Sequence, residues 1–289
     1  MLSPGTMSAS NRWQVADARF PVNGSSRQRL GFALKYAALA PTHSDWQHWE
    51  ILLEETYLDL LIREDPEADA EGDTFREAVI HCGAALQYLK VALKHFGCLG
   101  RTELFPDLDR RTLAARLHFG SGGTNNLRER SLFEAITASR GRLEVLNNRP
   151  VSEATLAALC RVVASGRAWV ELTQSETIRQ RVLEFTLANE PTRMIGTPAY
   201  TLGVVKTKTD DEYGWLLAGQ TLALAILHAQ AWGLAWEFFH QVPARETREA
   251  LRTGIGHKGF AQAILRFGPL AGGDMVRLVP SSTSTATFG

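Results

Sequence analysis

Residues able to do chemistry are few in this chain, and the densest group is Pro41-Thr42-His43-Ser44-Asp45-Trp46-Gln47-His48-Trp49. Hydroxyl, carboxylate and amide groups alternate there with aromatic rings. Such a mix suits the edge of a flat heteroaromatic ligand, which needs polar partners in its plane and apolar contacts on its faces. It equally suits an ordinary helix-to-strand connection. Arg140-Gly141-Arg142, with Arg277 far downstream, offers guanidinium groups that could grip a phosphate through charge-assisted hydrogen bonds, or simply be solvated at the surface. Gly254-Ile255-Gly256-His257-Lys258-Gly259 spells G-x-G-x-x-G. A dinucleotide fingerprint needs a strand before it and a helix after it, whereas here a helix precedes and a strand follows, so we read a turn. His43 with His48, and His228 with His240, lack the i, i+4 spacing of a helical zinc site and have no carboxylate or cysteine cluster beside them, so no metal is expected.

The elements that must position these groups follow from periodicity and caps. Leu30 to Ala40 has helical apolar spacing and stops at Pro41. Ile51–Leu53 and Tyr57–Ile62 read as a hairpin, Phe75 to Phe96 as a long apolar helix ending at Gly97, and Arg101–Phe105 and Thr112–Phe119 as strands. Gly120 to Asn126 reads as a linker. Ser131 starts a capping-box pattern opening a helix to Ala138, and Ser152 caps another to Ala164. Trp169–Leu172 and the run after Pro198 are strands, with a helix from Ser175 to Asn189 between them. The chain is organised around the next segment. Asp210 and Asp211 offer an N-cap, Trp215 to Trp232 has almost no polar face, and Gly233 is placed to end the helix. Glu212, Gln220, His228 and Gln230 interrupt that run, leaving less than the roughly 18 apolar residues of a membrane span. A helix from Pro243 to Arg252 and a strand from Gln262 to Phe267 complete the pattern.

Composition narrows the function classes. Of the 289 residues, 31 are basic and 31 acidic, which gives no electrostatic case for nucleic acid. Three cysteines, Cys82, Cys98 and Cys160, show no paired spacing and read as core thiols of a reducing compartment. No apolar leader run follows Arg12, so the expected location is cytoplasmic.

The chain also resembles itself. Cys82 through Gly97 aligns without a gap on Ala218 through Gly233, with Gly83 on Gly219, Leu86 on Leu222 and Gly97 on Gly233. Each block follows a strand and an acidic loop and precedes two further strands. Two copies of such a unit could pack their long helices together as a pseudo-dimer. The expected division is an arm (1–25), a first unit (26–120), a linker (121–130), a second unit (131–279) and a disordered Ser/Thr-rich tail (280–289).

Taken together, these pieces resemble the nitroreductase-like flavoproteins, in particular the Acg-type NAD(P)H nitroreductases, over roughly Arg27 to Arg277. Ala37 to Trp49 is similar to the family's A-P-S-x-x-N-T-Q-P-W loop. Arg76-Glu77 with His81 to Leu86 is similar to its R-E-x-x-I-S-C-G-A-A-L block. Thr197-Pro198, Trp215, Ala218-Gly219, Gly233-Leu234 and Leu265 to Gly268 fit its second half. The resemblance implies an α+β fold of two tandem nitroreductase-like half-units forming a pseudo-dimer around long central helices. It implies FMN as cofactor, NAD(P)H as co-substrate, and hydride transfer on to a small nitro or quinone-type acceptor. The flavin carries such chemistry and the protein supplies orientation, so no catalytic side chain is expected. Thr42, Ser44 and Gln47 would bond the flavin ring edge, Arg140, Arg142 and Arg277 its phosphate, and the backbone of Gly233-Leu234 would lie near the isoalloxazine. The molecule would be a monomeric pseudo-dimer or a homodimer, without nucleic-acid or membrane partners. Two departures stand out. The family's R-x-[ST]-x-R clamp falls on Ser139 to Leu143, which puts arginines at Arg140 and Arg142 one residue out of place, and the loop has Asp45 and His48 where the family has Asn and Pro. A degenerate relative that binds or sequesters flavin, or another ligand, without turnover is the alternative.

Overall fold

The computed structural model describes residues 19–42, 47–63, 73–122, 126–137, 150–187, 200–241, 248, 252 and 258–269. Among them are six helices and eight strands, in the order α1 (Ser26–Ala37), β1 (Trp49–Leu53), β2 (Tyr57–Ile62), α2 (Asp73–His95), β3 (Leu99–Leu104), β4 (Leu113–Phe119), α3 (Leu127–Thr137), α4 (Glu153–Val163), β5 (Ala168–Thr173), α5 (Glu176–Leu187), β6 (Thr201–Thr207), α6 (Glu212–Ala231), β7 (Leu234–Gln241) and β8 (Phe260–Pro269). The strands form two antiparallel sheets, ordered β1-β2-β4-β3 and β5-β6-β8-β7. The fold is α+β. The second order is the first advanced by four strands, and in both the long helix joins the second strand to the third.

Local signals explain the helix ends. Asp211 accepts from the Gly214 N–H at 2.7 Å as the N-cap of α6, and Ser152 does the same for α4 through Thr155. Both long helices finish on a glycine in the left-handed region, Gly97 at φ +66° and Gly233 at φ +73°, a conformation that costs a residue with a Cβ. After α2, the Cys98 N–H reaches back to the Leu93 carbonyl at 2.8 Å, closing the last turn.

The two long helices pack at the pair of glycines that the internal alignment superimposes. A Cβ on Gly219 would lie 2.9 Å from the Gly83 Cα, and one on Gly83 would lie 3.1 Å from the Gly219 Cα. Equivalent positions touching each other is what an isologous, two-fold interface produces. α6 contributes side chains to both cores. Leu216, Ala223 and Leu227 join the core of the first sheet, with Leu58, Leu86 and Leu117. Ala218, Leu222 and Ile226 join that of the second, with Val205, Leu265 and Phe267, and Ile80 of α2 crosses into this second core.

A buried polar network ties α2 to the second sheet. Arg76, 1% exposed, donates from Nε to the Gln262 amide oxygen at 3.1 Å and from Nη2 to the Gln262 carbonyl at 2.9 Å. Gln262 in turn donates to the Thr207 hydroxyl at 2.9 Å and to Asp210 at 3.0 Å. Asp210 also accepts from the Trp215 indole at 2.7 Å and the Arg248 Nε at 3.0 Å. Burial pushes the Asp210 carboxyl up, but these hydrogen bonds and the charges of Arg248 and Arg76 outweigh it and hold the group below the ordinary carboxylate range.

Several expectations change at the element level. α3 begins at Leu127, because the Asn126 side chain caps it by accepting from the Glu129 N–H at 2.9 Å. Ser131 lies inside the helix instead, its hydroxyl bonded to the Leu127 carbonyl. Gly120 and Gly122, read as linker, are pinned to the start of β3. The Gly120 N–H bonds the Cys98 carbonyl, and a Cβ on Gly122 would sit 2.3 Å from the Leu99 carbonyl oxygen. These glycines permit close backbone approach rather than looseness. In the G-x-G-x-x-G stretch, Gly254 and Gly256 lie outside the described residues, and β8 follows at Phe260, so no helix opens there. All three cysteines are free, with Cys82 and Cys98 buried. Among the described residues no helix is long and apolar enough to cross a membrane.

Candidate functional site

The polar-aromatic loop joins α1 to β1, and its end is fixed by the sheet. Gln47 is exposed, its amide donating to the Trp49 carbonyl at 3.0 Å. Thr42 is exposed at the other end of the loop. His48 turns inward to 7% exposure, and its carbonyl accepts from the Arg63 N–H at 2.9 Å, a bond that continues the β1–β2 pairing.

Behind this loop lies the first half of α2. Glu77 and His81 are one turn apart on the helix face toward His48, as i, i+4 spacing requires. The His48 Nε2 is 3.9 Å from a Glu77 carboxylate oxygen, and the His48 and His81 rings are 4.8 Å apart, tilted by 39°. His81 is 3% exposed, and the Glu77 side chain is about one-third exposed. One ligand atom from each of the three lies within 4.8 Å of the other two.

The remaining expected residues are placed elsewhere or not described. Gly233 and Leu234 form the turn from α6 into β7, the edge strand of the second sheet, with Leu234 buried. Thr42 and Gln47 instead lie in the connection from α1 to β1, next to the first sheet. Ser44, Arg140, Arg142 and Arg277 lie outside the described residues, as does Asp45.

Sequence reasoning missed the grouping of His48 with Glu77 and His81. It tested histidines against histidines, whereas the usable signal was Glu77-x-x-x-His81 on a confidently helical segment. The third member comes from a loop 29 positions upstream of Glu77, which spacing alone does not reveal.

Comparison with known proteins agrees with the resemblance in the sequence. Two Mycobacterium tuberculosis proteins (strains CDC 1551 and H37Rv), both named "Putative NAD(P)H nitroreductase", are 24% identical to this chain, over 81% of it and 83% of each of them. The chain is similar to these NAD(P)H nitroreductases over most of its length. No family model matches it. A solved nitroreductase with bound FMN from Bacteroides fragilis aligns at 13% identity and a TM-score of 0.39, covering 55% of this chain and 97% of that one. The nitroreductase-like resemblance thus extends over most of this chain in the sequence comparison.

Proposed function

We propose that this chain is an FMN-dependent NAD(P)H oxidoreductase that reduces a small nitro or quinone-type acceptor by alternate binding of donor and acceptor. The similarity to NAD(P)H nitroreductases over four-fifths of the chain carries this reading. The flavin, when bound, would supply the hydride chemistry. Thr42, Ser44 and Gln47 would bind and orient its ring edge. The backbone of Gly233-Leu234 would pack near the ring system, and Arg140, Arg142 and Arg277 would hold the phosphate. The units would act as one fused pair, either as a single chain or as a dimer of chains.

The one-residue displacement of the clamp arginines favours a second reading, in which flavin is held or sequestered without turnover. The two separate in one experiment. Purified protein is loaded with FMN, desalted, and its visible spectrum recorded; NADPH oxidation is then followed with a quinone. A retained flavin band with turnover supports the reductase. A retained band without turnover supports sequestration, and a colourless protein overturns both. Replacing Arg140 and Arg142 together with alanine should abolish retention. Unchanged flavin affinity in that double variant would remove them from the phosphate site.

A further inference from the structure

We propose that His48, Glu77 and His81 form a binding site for one divalent transition-metal ion of the zinc class. The set is two imidazoles and one carboxylate, the protein ligands of catalytic zinc sites that leave a fourth position open. Borderline nitrogen donors favour zinc, cobalt, nickel or copper over magnesium and calcium, which prefer all-oxygen sites. The ligand atoms all lie within 4.8 Å of one another, and the His48–Glu77 approach is 3.9 Å. Neighbouring ligands around a tetrahedral zinc are about 3.4 Å apart given bond lengths near 2.1 Å. Small side-chain rotations would therefore complete the site, with no backbone movement.

Three further observations support it. Both imidazoles are almost wholly buried, which fixes their rings, while Glu77 remains partly exposed and gives an ion a route in. The backbone of all three is held, His48 by its bond from Arg63 at the edge of the sheet and the other two within the long helix. Finally, the cluster is confined to one half. The positions on α6 that align with Glu77 and His81 are Tyr213 and Leu217, so the repeated architecture does not itself require these groups. The site adjoins Gln47, so a bound ion with its open position would sit beside the loop assigned to ligand binding. It does not depend on the flavin reading, and its test is made without FMN.

The test uses tag-free, FMN-free protein stripped with chelator. It is titrated with cobalt(II), then dialysed and its metal content measured, and the thermal midpoint is recorded with and without zinc. The expected result is a ligand-field absorption band in the visible, one retained ion per chain, and a zinc-dependent rise in the midpoint. Glu77→Gln keeps the shape of the side chain but removes its charge. It should weaken cobalt binding at least tenfold while leaving the metal-free midpoint close to wild type. His81→Ala should abolish the band. Wild-type protein that shows no band and retains no metal overturns the proposal, as does retention that is equal in Glu77→Gln, His81→Ala and wild type.

Discussion

Replacing Gly219 with alanine should destabilise the molecule, although alanine is the better helix former. A methyl carbon there would lie 1.9 Å from the Ile80 carbonyl oxygen, 2.8 Å from the Ala84 nitrogen and 2.9 Å from the Gly83 Cα. All three obstacles are backbone atoms, so no side chain can rotate away. Ordinary carbon–oxygen contacts are about 3.3 Å or longer, so α2 and α6 would have to part by more than an ångström. That separation loosens both cores, because α6 contributes to each. Overpacking of this kind costs about 1–3 kcal/mol and more when backbone must move. The helix-propensity gain of alanine returns at most about 1 kcal/mol. The expected net loss is about 2 kcal/mol, a fall in thermal midpoint of about 4–8 °C for a chain of this size class. Gly166→Ala is the control, since a methyl there meets nothing within 4 Å. Urea unfolding of the two variants beside wild type measures the difference. Gly83→Ala should resemble Gly219→Ala, and the double variant should depart from the sum of the two, because both act at one crossing. If Gly219→Ala unfolds at or above the wild-type midpoint, the close helix crossing is wrong.

Acid should weaken the fold through His228. Burial, reinforced by the Arg128 guanidinium 3.4 Å away, lowers this imidazole from 6.5 to about 4. The folded state therefore keeps it neutral while the unfolded chain takes up a proton. Stability present above pH 6.5 is lost as the pH falls toward 4, by up to about 3 kcal/mol. His228→Leu should flatten the slope of unfolding free energy between those pH values, and an unchanged slope would show that other groups carry it. Arg76→Met removes charged hydrogen bonds to Gln262 and should cost about 3 kcal/mol in urea unfolding. A loss below about 1 kcal/mol would mean that water replaces the guanidinium without difficulty.

Much of this architecture was readable from the chain. Two aspartates offered as caps, the largely apolar run behind them and Gly233 at its end determine α6 by local chemistry, with the fold selecting Asp211 as the cap. The internal alignment pointed to the two long helices as packing partners, but that they cross at Gly83 and Gly219 is seen only in the fold. The start of α3 was not readable, since Asn126 and Ser131 are both good caps and only the surrounding packing selects the first. Gly120 and Gly122 were misread because a glycine needed for close approach looks the same in sequence as one that gives freedom. The loop that holds Thr42 and Gln47 stood out in the sequence by its density of polar groups. The His48, Glu77 and His81 grouping depends on how a loop lies over a helix, which no local pattern encodes. The Arg76–Gln262 tie spans even more of the chain; Arg76 stood out in the R-E pair, but nothing in the sequence named Gln262 as its partner.

The sharing of α6 between the two cores constrains how the chain is made. α2 carries an apolar surface whose cover, α6, is encoded well over a hundred residues later. At about 5–20 residues per second of synthesis, that surface would wait some seconds to tens of seconds outside the ribosome before its partner emerges. A paired homodimer can fold each copy and then associate. A single chain whose α6 completes the cover of α2 has to keep its first half soluble while the second is still being translated. The nascent first unit is therefore expected to be a client of holding chaperones, and translation pauses placed before α6 should lower the yield of native protein.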